Sequence, residues 1–201
     1  MGKLRELFDH DREFYDNGCV AGLDEAGRGP LAGPVVAAAV VFEAGSYIEG
    51  VNDSKKLSEG RRKALFFEIV CCARDIGIGI VDAADIDRLN ILNATKMAMK
   101  KAVLQLNHPP DILLIDALRL PDIDISQVSI IKGDSKSASI AAASIVAKVL
   151  RDSLMLAYHQ QYPQYGFNSH KGYGTKQHME MIRTHGPCPI HRRSFAPLNS
   201  L

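Results

Sequence analysis

Short apolar runs and amphipathic stretches alternate along the chain, and glycine and proline mark most of the changeovers. Residues 19–25 (CVAGLDE), 31–42 (LAGPVVAAAVVF) and 76–81 (IGIGIV) are apolar, bounded by glycine, proline or charge, and rich in β-branched residues or alanine. That pattern predicts three strands, the first two joined through residues 27–30. Gly77 and Gly79 weaken the third as a strand, and they also mark places where another backbone or a ligand can come close. Two further strands are predicted at residues 111–116 (DILLID) and 128–132 (VSIIK).

Between the strands the apolar period lengthens to that of a helix. Ser58 can cap a helix running to about residue 74, with Leu65, Ile69 and Cys72 on one face. Residues 83–106 read as one or two helices, broken near Asn90 and stopped by Pro109 and Pro110. A long helix is expected from about residue 135 to 160, with Ile140, Ala143, Ala147, Leu150 and Leu154 as its apolar stripe. Residues 162–201 are loop-rich with one helix expected at 175–184, and residues 1–17 suit an amphipathic starting helix. Interleaved strands and helices without a repeat or linker predict an α/β architecture: a sheet-centred core with a C-terminal extension.

Composition narrows the class. The chain has 201 residues, 46% hydrophobic and 23% charged, which suits one compact enzyme-sized unit that needs no disulfide staples. No stretch reaches the ~18 uncharged apolar residues of a membrane span, and the N-terminus lacks an apolar targeting region, so no membrane partner is expected. Cys19, Cys71, Cys72 and Cys188 form no disulfide or metal pattern, and a reducing cytoplasm is the expected compartment. The net charge of +1 hides an asymmetry: residues 1–130 carry 15 Lys and Arg against 20 Asp and Glu, and residues 131–201 carry 9 against 3. The basic C-terminal third hints at an anionic ligand.

Two acids, Asp24 and Glu25, end the first apolar run, Asp116 ends DILLID, and Asp134 stands where the last strand gives way to helix. Singly, each has an ordinary reading: Asp134 as a helix cap, Asp116 as a turn initiator, Glu25 as a surface residue. Together they suggest a carboxylate cluster for Mg2+ or Mn2+, because hard divalent ions take oxygen ligands and a pair of them can hydrolyse a phosphodiester. Successive strand residues point to opposite faces, so Asp24 and Glu25 are expected to meet only if the strand ends or bulges there, which Gly27 would permit. Gly27-Arg28-Gly29 can bring backbone close to a sugar hydroxyl. Ser54 and Lys55, and Ser135 and Lys136 at a helix start, offer hydroxyls and ammonium groups to phosphates. Tyr173, between glycines, can stack on a sugar or base. His185, Cys188 and His191 lack the second half of a structural zinc site, and neither a P-loop, a dinucleotide fingerprint nor a G-x-S-x-G elbow is present, so no nucleotide cofactor is expected.

The blocks GLDEAGRGPLAGPVVAAAVV, DSKKLS, LLIDAL, KGDSKSASIAAASIVAKVLRD, HKGYGT and HGPCPIHRRSF, in that order over residues 18–198, closely resemble ribonuclease HII, the bacterial type 2 ribonuclease H family. The resemblance implies a ribonuclease H-like fold, a five-stranded mixed sheet flanked by helices. Residues 18–161 would form the catalytic core, and residues 162–201 a helical C-terminal extension that packs on it and contacts the hybrid. It implies cleavage of the RNA strand of RNA–DNA hybrids and nicking 5′ to a ribonucleotide embedded in duplex DNA, in ribonucleotide removal during DNA replication and repair. The products would carry 5′-phosphate and 3′-hydroxyl ends, and the cofactor would be Mg2+ or Mn2+ in a two-metal site. The family's metal-binding and catalytic acids carry over to Asp24, Glu25, Asp116 and Asp134. Its ribose-contacting loop carries over to Gly27, Arg28 and Gly29, and its stacking tyrosine to Tyr173. Asp152 also lies in a matched block, but so far into the long helix that a structural ion pair is expected of it. A monomer is expected. Two other readings share some of these features. A nuclease of the junction-resolvase type would keep the acids but not the GRG and GYGT pair, and a non-catalytic hybrid-binding module would gain nothing from a negative cluster facing phosphates.

Overall fold

The structure, a computed structural model, describes residues 2–200. Met1 and Leu201, the outermost positions of the expected N-terminal segment and C-terminal extension, lie outside the described residues. Five strands, β1 (Val20–Ala26), β2 (Val35–Val41), β3 (Asp75–Val81), β4 (Ile112–Asp116) and β5 (Ser126–Ile130), form one mixed sheet in the order β3-β2-β1-β4-β5. The first three pair antiparallel in sequence, while β1, β4 and β5 run parallel. This is the five-stranded mixed sheet implied by the resemblance. The helices are α1 (Gly2–Arg12), α2 (Glu59–Cys72), α3 (Ala83–Leu89), α4 (Ile91–Leu104), α5 (Ala138–Gln161), α6 (Phe167–His170) and α7 (Lys176–His185). No helix among the described residues is long and apolar enough to cross a membrane.

Strand β2 (VVAAAVV) is buried at every position because helices cover both sheet faces. On one face Val36, Ala38 and Val40 meet Ala138, Ala142 and Ile145 of α5, with Leu65 and Ile69 of α2 and Leu7 and Phe8 of α1 joining the same cluster. On the other, Val35, Ala37 and Ala39 meet Ala94, Ala98 and Met99 of α4. Small residues set how close these layers come. A Cβ on Gly79 would overlap the Ala98 carbonyl, and one on Gly22 would overlap the backbone at Ser139 and Ile140. The glycines that weaken β3 as a strand therefore seat α4 directly on the sheet, and Gly22 does the same for the start of α5.

Several boundaries differ from the sequence pattern, each for a packing reason. Leu31 leaves the sheet: its N–H donates to the Gly172 carbonyl at 2.8 Å and its side chain joins a satellite core with Met155, Tyr165, Phe167 and Ile182. Strand β5 stops at Ile130 because its partner β4 ends at Asp116, and Lys132 then turns left-handed at φ 57°. Helix α5 begins at Ala138 under a Ser137 cap, later than residue 135, since residues 133–135 are taken up by a tight 3-10 turn. Cys72 is exposed, and Leu65 and Ile69 alone carry the buried face of α2. The break near Asn90 stands as expected, with that residue at φ 67° and its side chain capping α4 through the Asn93 N–H at 3.1 Å.

Because the neighbour of Gly79 is backbone, which cannot swing aside, Gly79→Ala should push α4 off the sheet. A loss of about 1–3 kcal/mol is expected, read as a lower urea midpoint at unchanged slope.

Candidate active site

The parallel ladder between β1 and β4 ends at Leu23 and Ile115, so the next residues, Asp24 and Asp116, stand side by side at the C-terminal ends of the two central strands. Asp24 is only 4% exposed. It accepts the Glu25 N–H at 2.7 Å and a hydrogen bond from the Ser144 hydroxyl of α5. Asp116 accepts the Gly133 N–H at 2.8 Å, which ties the end of β4 to the turn carrying Asp134.

Strand β1 neither bulges nor ends at Asp24, contrary to the condition set by the sequence. Its register with β2 runs unbroken through Asp24–Ala38, Glu25–Ala37 and Ala26–Val36, so the two acids leave opposite faces. Glu25 nevertheless lies in the same electrostatic field, where β1 projects past the end of its β4 ladder. The charge of Asp116 acts on Glu25 as it does on Asp24. Asp134 feels Asp116 as well, together with Asp53, and its Oδ2 lies 3.7 Å from the Lys55 ammonium.

Burial is the first cause of the protonation behaviour of this group. It pushes the Asp24 carboxyl well above the usual range, with the charges of Glu25 and Asp116 adding to the rise. Burial raises Glu25 too, against the opposing charge of Arg28, whose Nη1 sits 3.4 Å from Oε1. Asp134 is raised by burial and by Asp53. The second oxygen of Glu25 is buried without a hydrogen-bond partner. Like charges drawn together out of water, with a lone carboxylate oxygen among them, suit a hard divalent cation. Among the described residues no three acidic, histidine or cysteine side chains close on one point as a full ligand set. A cation here would therefore take part of its shell from water or from a ligand's oxygens.

Residues in the left-handed region flank these groups. Ala117 follows Asp116 at φ 50°, Lys132 precedes Gly133 and Asp134 at φ 57°, and Lys171 lies two residues before Tyr173 at φ 51°. Such geometry is uncommon outside glycine and persists where the surroundings over-determine it.

The Gly27-Arg28-Gly29 loop rests on two buried arginines that the sequence reading passed over. Arg192 donates to the carbonyls of Gly27 at 2.6 Å, Arg28 at 2.9 Å and Gly33 at 2.9 Å. Arg151 donates to the carbonyls of Ala32, Pro34 and Lys171 at 3.0–3.1 Å. Burial pulls the Arg192 guanidinium down to about 9, still charged at neutral pH. With two of its carbonyls facing inward, the loop turns the exposed Arg28 and Gly29 outward. Tyr173 is 44% exposed, and its ring centroid lies 5.9 Å from both the Lys148 ammonium and the Arg151 guanidinium. A signal for Arg151 existed: it falls on the buried line Ala147, Arg151, Met155 of α5, where an apolar residue would be the default.

The remaining expected residues divide. Lys55 and Lys136 are exposed, with Lys55 facing Asp134. Ser54 is not available to a phosphate: it is buried, and its hydroxyl lies 2.8 Å from that of Ser144. Through Ser144, which faces Asp24, Ser54 supports Asp24 from behind. The Ser135 hydroxyl donates to the Lys132 carbonyl at 2.9 Å, while the cap of α5 is Ser137. Asp152 pairs with Lys148 at 2.7 Å within α5.

Comparison with known proteins places the chain in a family. The profile of the family described as ribonuclease HII matches residues 21–198. The chain is 63% identical over 195 residues to a ribonuclease HII of Clostridioides difficile, covering 96% of this chain and 76% of that protein. It is 57% identical over 194 residues to one of Bacillus pumilus, again covering 96% and 76%. Among solved structures, the ribonuclease H2 of Pyrococcus horikoshii superposes with a TM-score of 0.73 at 30% identity, covering 90% of this chain and 96% of that one. The RNase HII of Archaeoglobus fulgidus, solved in complex with PCNA, gives 0.72 at 27% identity, covering 91% and 100%.

The raised Asp24 carboxyl carries a stability consequence. A folded-state pKa above the unfolded value favours the fold at low pH and costs stability as pH rises through it, so the ionised group is a burden at neutral pH. Asp24→Asn keeps the hydrogen-bond acceptor and removes the charge. In metal-free buffer at pH 7 its unfolding temperature should exceed wild type, by about 2–4 °C for each kcal/mol recovered.

Proposed function

The chain belongs to the ribonuclease HII family, endoribonucleases of the ribonuclease H type that act on RNA–DNA hybrids, and from that premise we propose that Asp24, Glu25, Asp116 and Asp134 hold the Mg2+ or Mn2+ its reaction needs. The observation that carries this reading is the side-by-side placement of Asp24 and Asp116 on adjacent strand ends, with Glu25 and Asp134 in the same electrostatic field. When bound, such ions would supply an activated water and neutralise the leaving 3′-oxygen of a phosphodiester, giving 5′-phosphate and 3′-hydroxyl ends.

The chain's own groups account for the rest. Ser144 and the Glu25 N–H keep the Asp24 carboxylate aimed and ionisable, and the Gly133 N–H aims the Asp116 carboxylate. Lys55 stands beside Asp134 with an ammonium free to meet a phosphate oxygen, and Lys136, exposed just before α5, extends the cationic path. The backbone of Gly27 to Gly29, braced by Arg192, meets the 2′-hydroxyl, the one local group that marks a ribose apart from sugar pucker. Its recognition falls to backbone, because the Arg28 side chain is engaged with Glu25. Tyr173 stacks on the sugar of the following deoxynucleotide. Together these contacts support nicking 5′ to a single ribonucleotide in duplex DNA as well as cleavage of long hybrids, the chemistry of removing ribonucleotides during DNA replication and repair.

End-labelled cleavage of three matched duplexes tests the reading. With Mg2+ or Mn2+, all-DNA should remain intact, DNA with one ribonucleotide should be nicked on its 5′ side, and the RNA–DNA hybrid should be cut. Equal cutting of all three would refute the 2′-hydroxyl assignment. Asp116→Asn should lower turnover at least about 1,000-fold, on the order of 4 kcal/mol of barrier, with its circular dichroism unchanged; retained activity would refute its role.

Protons and cations compete for the raised carboxylates. Activity should therefore fall on the acid side at a pH above the ordinary carboxylate range, and that limb should move to lower pH as Mg2+ is increased. A limb that ignores Mg2+ concentration would show that these acids are not the cation's ligands.

A further inference from the structure

Behind the Tyr173 loop lies a group of buried rings that the proposed reaction does not use. The His178 Nδ1 lies 2.9 Å from the Tyr173 carbonyl, His178 Nε2 lies 3.0 Å from His191 Nε2, and the Cys188 N–H points at His191 Nδ1 from 2.9 Å. His178 and His191 are 0% and 2% exposed. The two ends of this chain fix the protons in between. A carbonyl can only accept, so His178 carries its proton on Nδ1; around His191 Nδ1 stand the Cys188 N–H at 2.9 Å and thiol at 3.1 Å, which can donate to it, and the Cys188 carbonyl at 3.3 Å, and a bare Nδ1 serves the two nearer groups. His191 must then carry its proton on Nε2 and donate it to the bare Nε2 of His178. In this arrangement both rings are neutral and each ring nitrogen meets a donor or an acceptor.

A charge on either ring would break the arrangement. A second proton on His178 would set N–H against N–H at the 3.0 Å contact, and one on His191 would confront the Cys188 N–H and leave it only the longer 3.3 Å contact to the Cys188 carbonyl. The surroundings act in the same direction. Phe167 packs edge-on to His178, and His170 stacks on it at 4.4 Å; Arg193 brings positive charge toward His191. Burial pushes both imidazoles down to about 4. His170 repeats the motif one step away, its Nε2 donating to the Tyr165 carbonyl at 2.8 Å and its Nδ1 accepting the Gly172 N–H at 3.2 Å.

We propose that His178 and His191 are positioning residues of this enzyme: a directional chain from the Cys188 N–H through both rings to the Tyr173 carbonyl sets the backbone from which the Tyr173 ring reaches the substrate. The chain joins the start of α7 to residues 188–191, and thus to Arg192, which follows His191 and grips the Gly27–Gly29 loop. The tyrosine that faces the sugar and the loop that faces the 2′-hydroxyl are in this way registered against one another. The proposal rests on the reading of Tyr173 as a substrate contact.

Two measurements test it. In the wild-type protein, long-range 1H–15N correlations of the histidine rings at pH 7 should show His178 as the Nδ1–H tautomer and His191 as the Nε2–H tautomer; the reverse pair, or averaging between tautomers, would overturn the chain. In kinetics on duplex DNA with one ribonucleotide, His178→Ala should lower kcat/KM about three- to tenfold, the worth of a hydrogen bond. It should add nothing in a Tyr173→Ala background, because it acts through that residue. His178→Asn, which places an N–H near the old Nδ1 position, should stay within about twofold of wild type; it also serves if the alanine variant fails to fold, since a loss as large as that of Tyr173→Ala would then refute the proposal. Impairment of Tyr173→Ala with losses that multiply in the double variant would overturn the positioning role alone. Full activity of Tyr173→Ala would overturn the tyrosine's own role and the positioning role with it.

Discussion

A carboxylate held out of water at the tip of the central strand, beside others of the same charge, constrains everything around it. Asp24 sits under α5 with Asp116 next to it and Glu25 following it in the strand, and burial raises its carboxyl well above the usual range. The structure answers with directed donors instead of a counter-charge at Asp24 itself. The Glu25 N–H and the Ser144 hydroxyl face Asp24, Ser54 backs Ser144, and the cations Arg28 and Lys55 stand one step further out against Glu25 and Asp134. An arrangement of this kind leaves negative charge unspent, and a divalent cation is the group best able to use it.

The surfaces that would read a nucleic acid are built from a second constraint of opposite sign. Arg151 and Arg192 are buried cations whose hydrogen bonds run to backbone carbonyls of residues 27–34 and Lys171. Carbonyls satisfied in this way cannot drift, so the loop and the Tyr173 turn are fixed by side chains far from them in sequence. The histidine chain from Cys188 to Tyr173 extends the same logic with neutral donors and acceptors. Buried polar networks are costly when partly satisfied and rigid when complete, and this one leaves each ring nitrogen of His178 and His191 with a partner.

Much of the frame was legible along the chain. Apolar runs bounded by glycine and proline located all five strands, Ser58 marked a helix start through its capping side chain, and the break near Asn90 and the helix start at residue 175 were legible too. The two misplaced strand boundaries share one cause: the run from Leu31 and the run ending at Lys132 are apolar enough for strands, but strand pairing ends where the partner strand ends. The acids were legible because charge at the end of an apolar run is conspicuous. Ser54 was misread because its neighbours Lys55 and Lys56 are exposed, and nothing local shows that its hydroxyl turns inward to α5.

The order of elements, their types and the candidate acids followed from residue type and period, since these depend on local propensity and on which positions can face water. What only the tertiary structure decided were relations between distant segments. One is that Asp24 and Asp116 become neighbours through a parallel ladder. Others are that Glu25 feels the charge of Asp116 from a strand that does not bulge, and that residues 151 and 192 hold a loop at 27–34. Contacts across such separations are set by register and layer packing, which no window of the sequence contains.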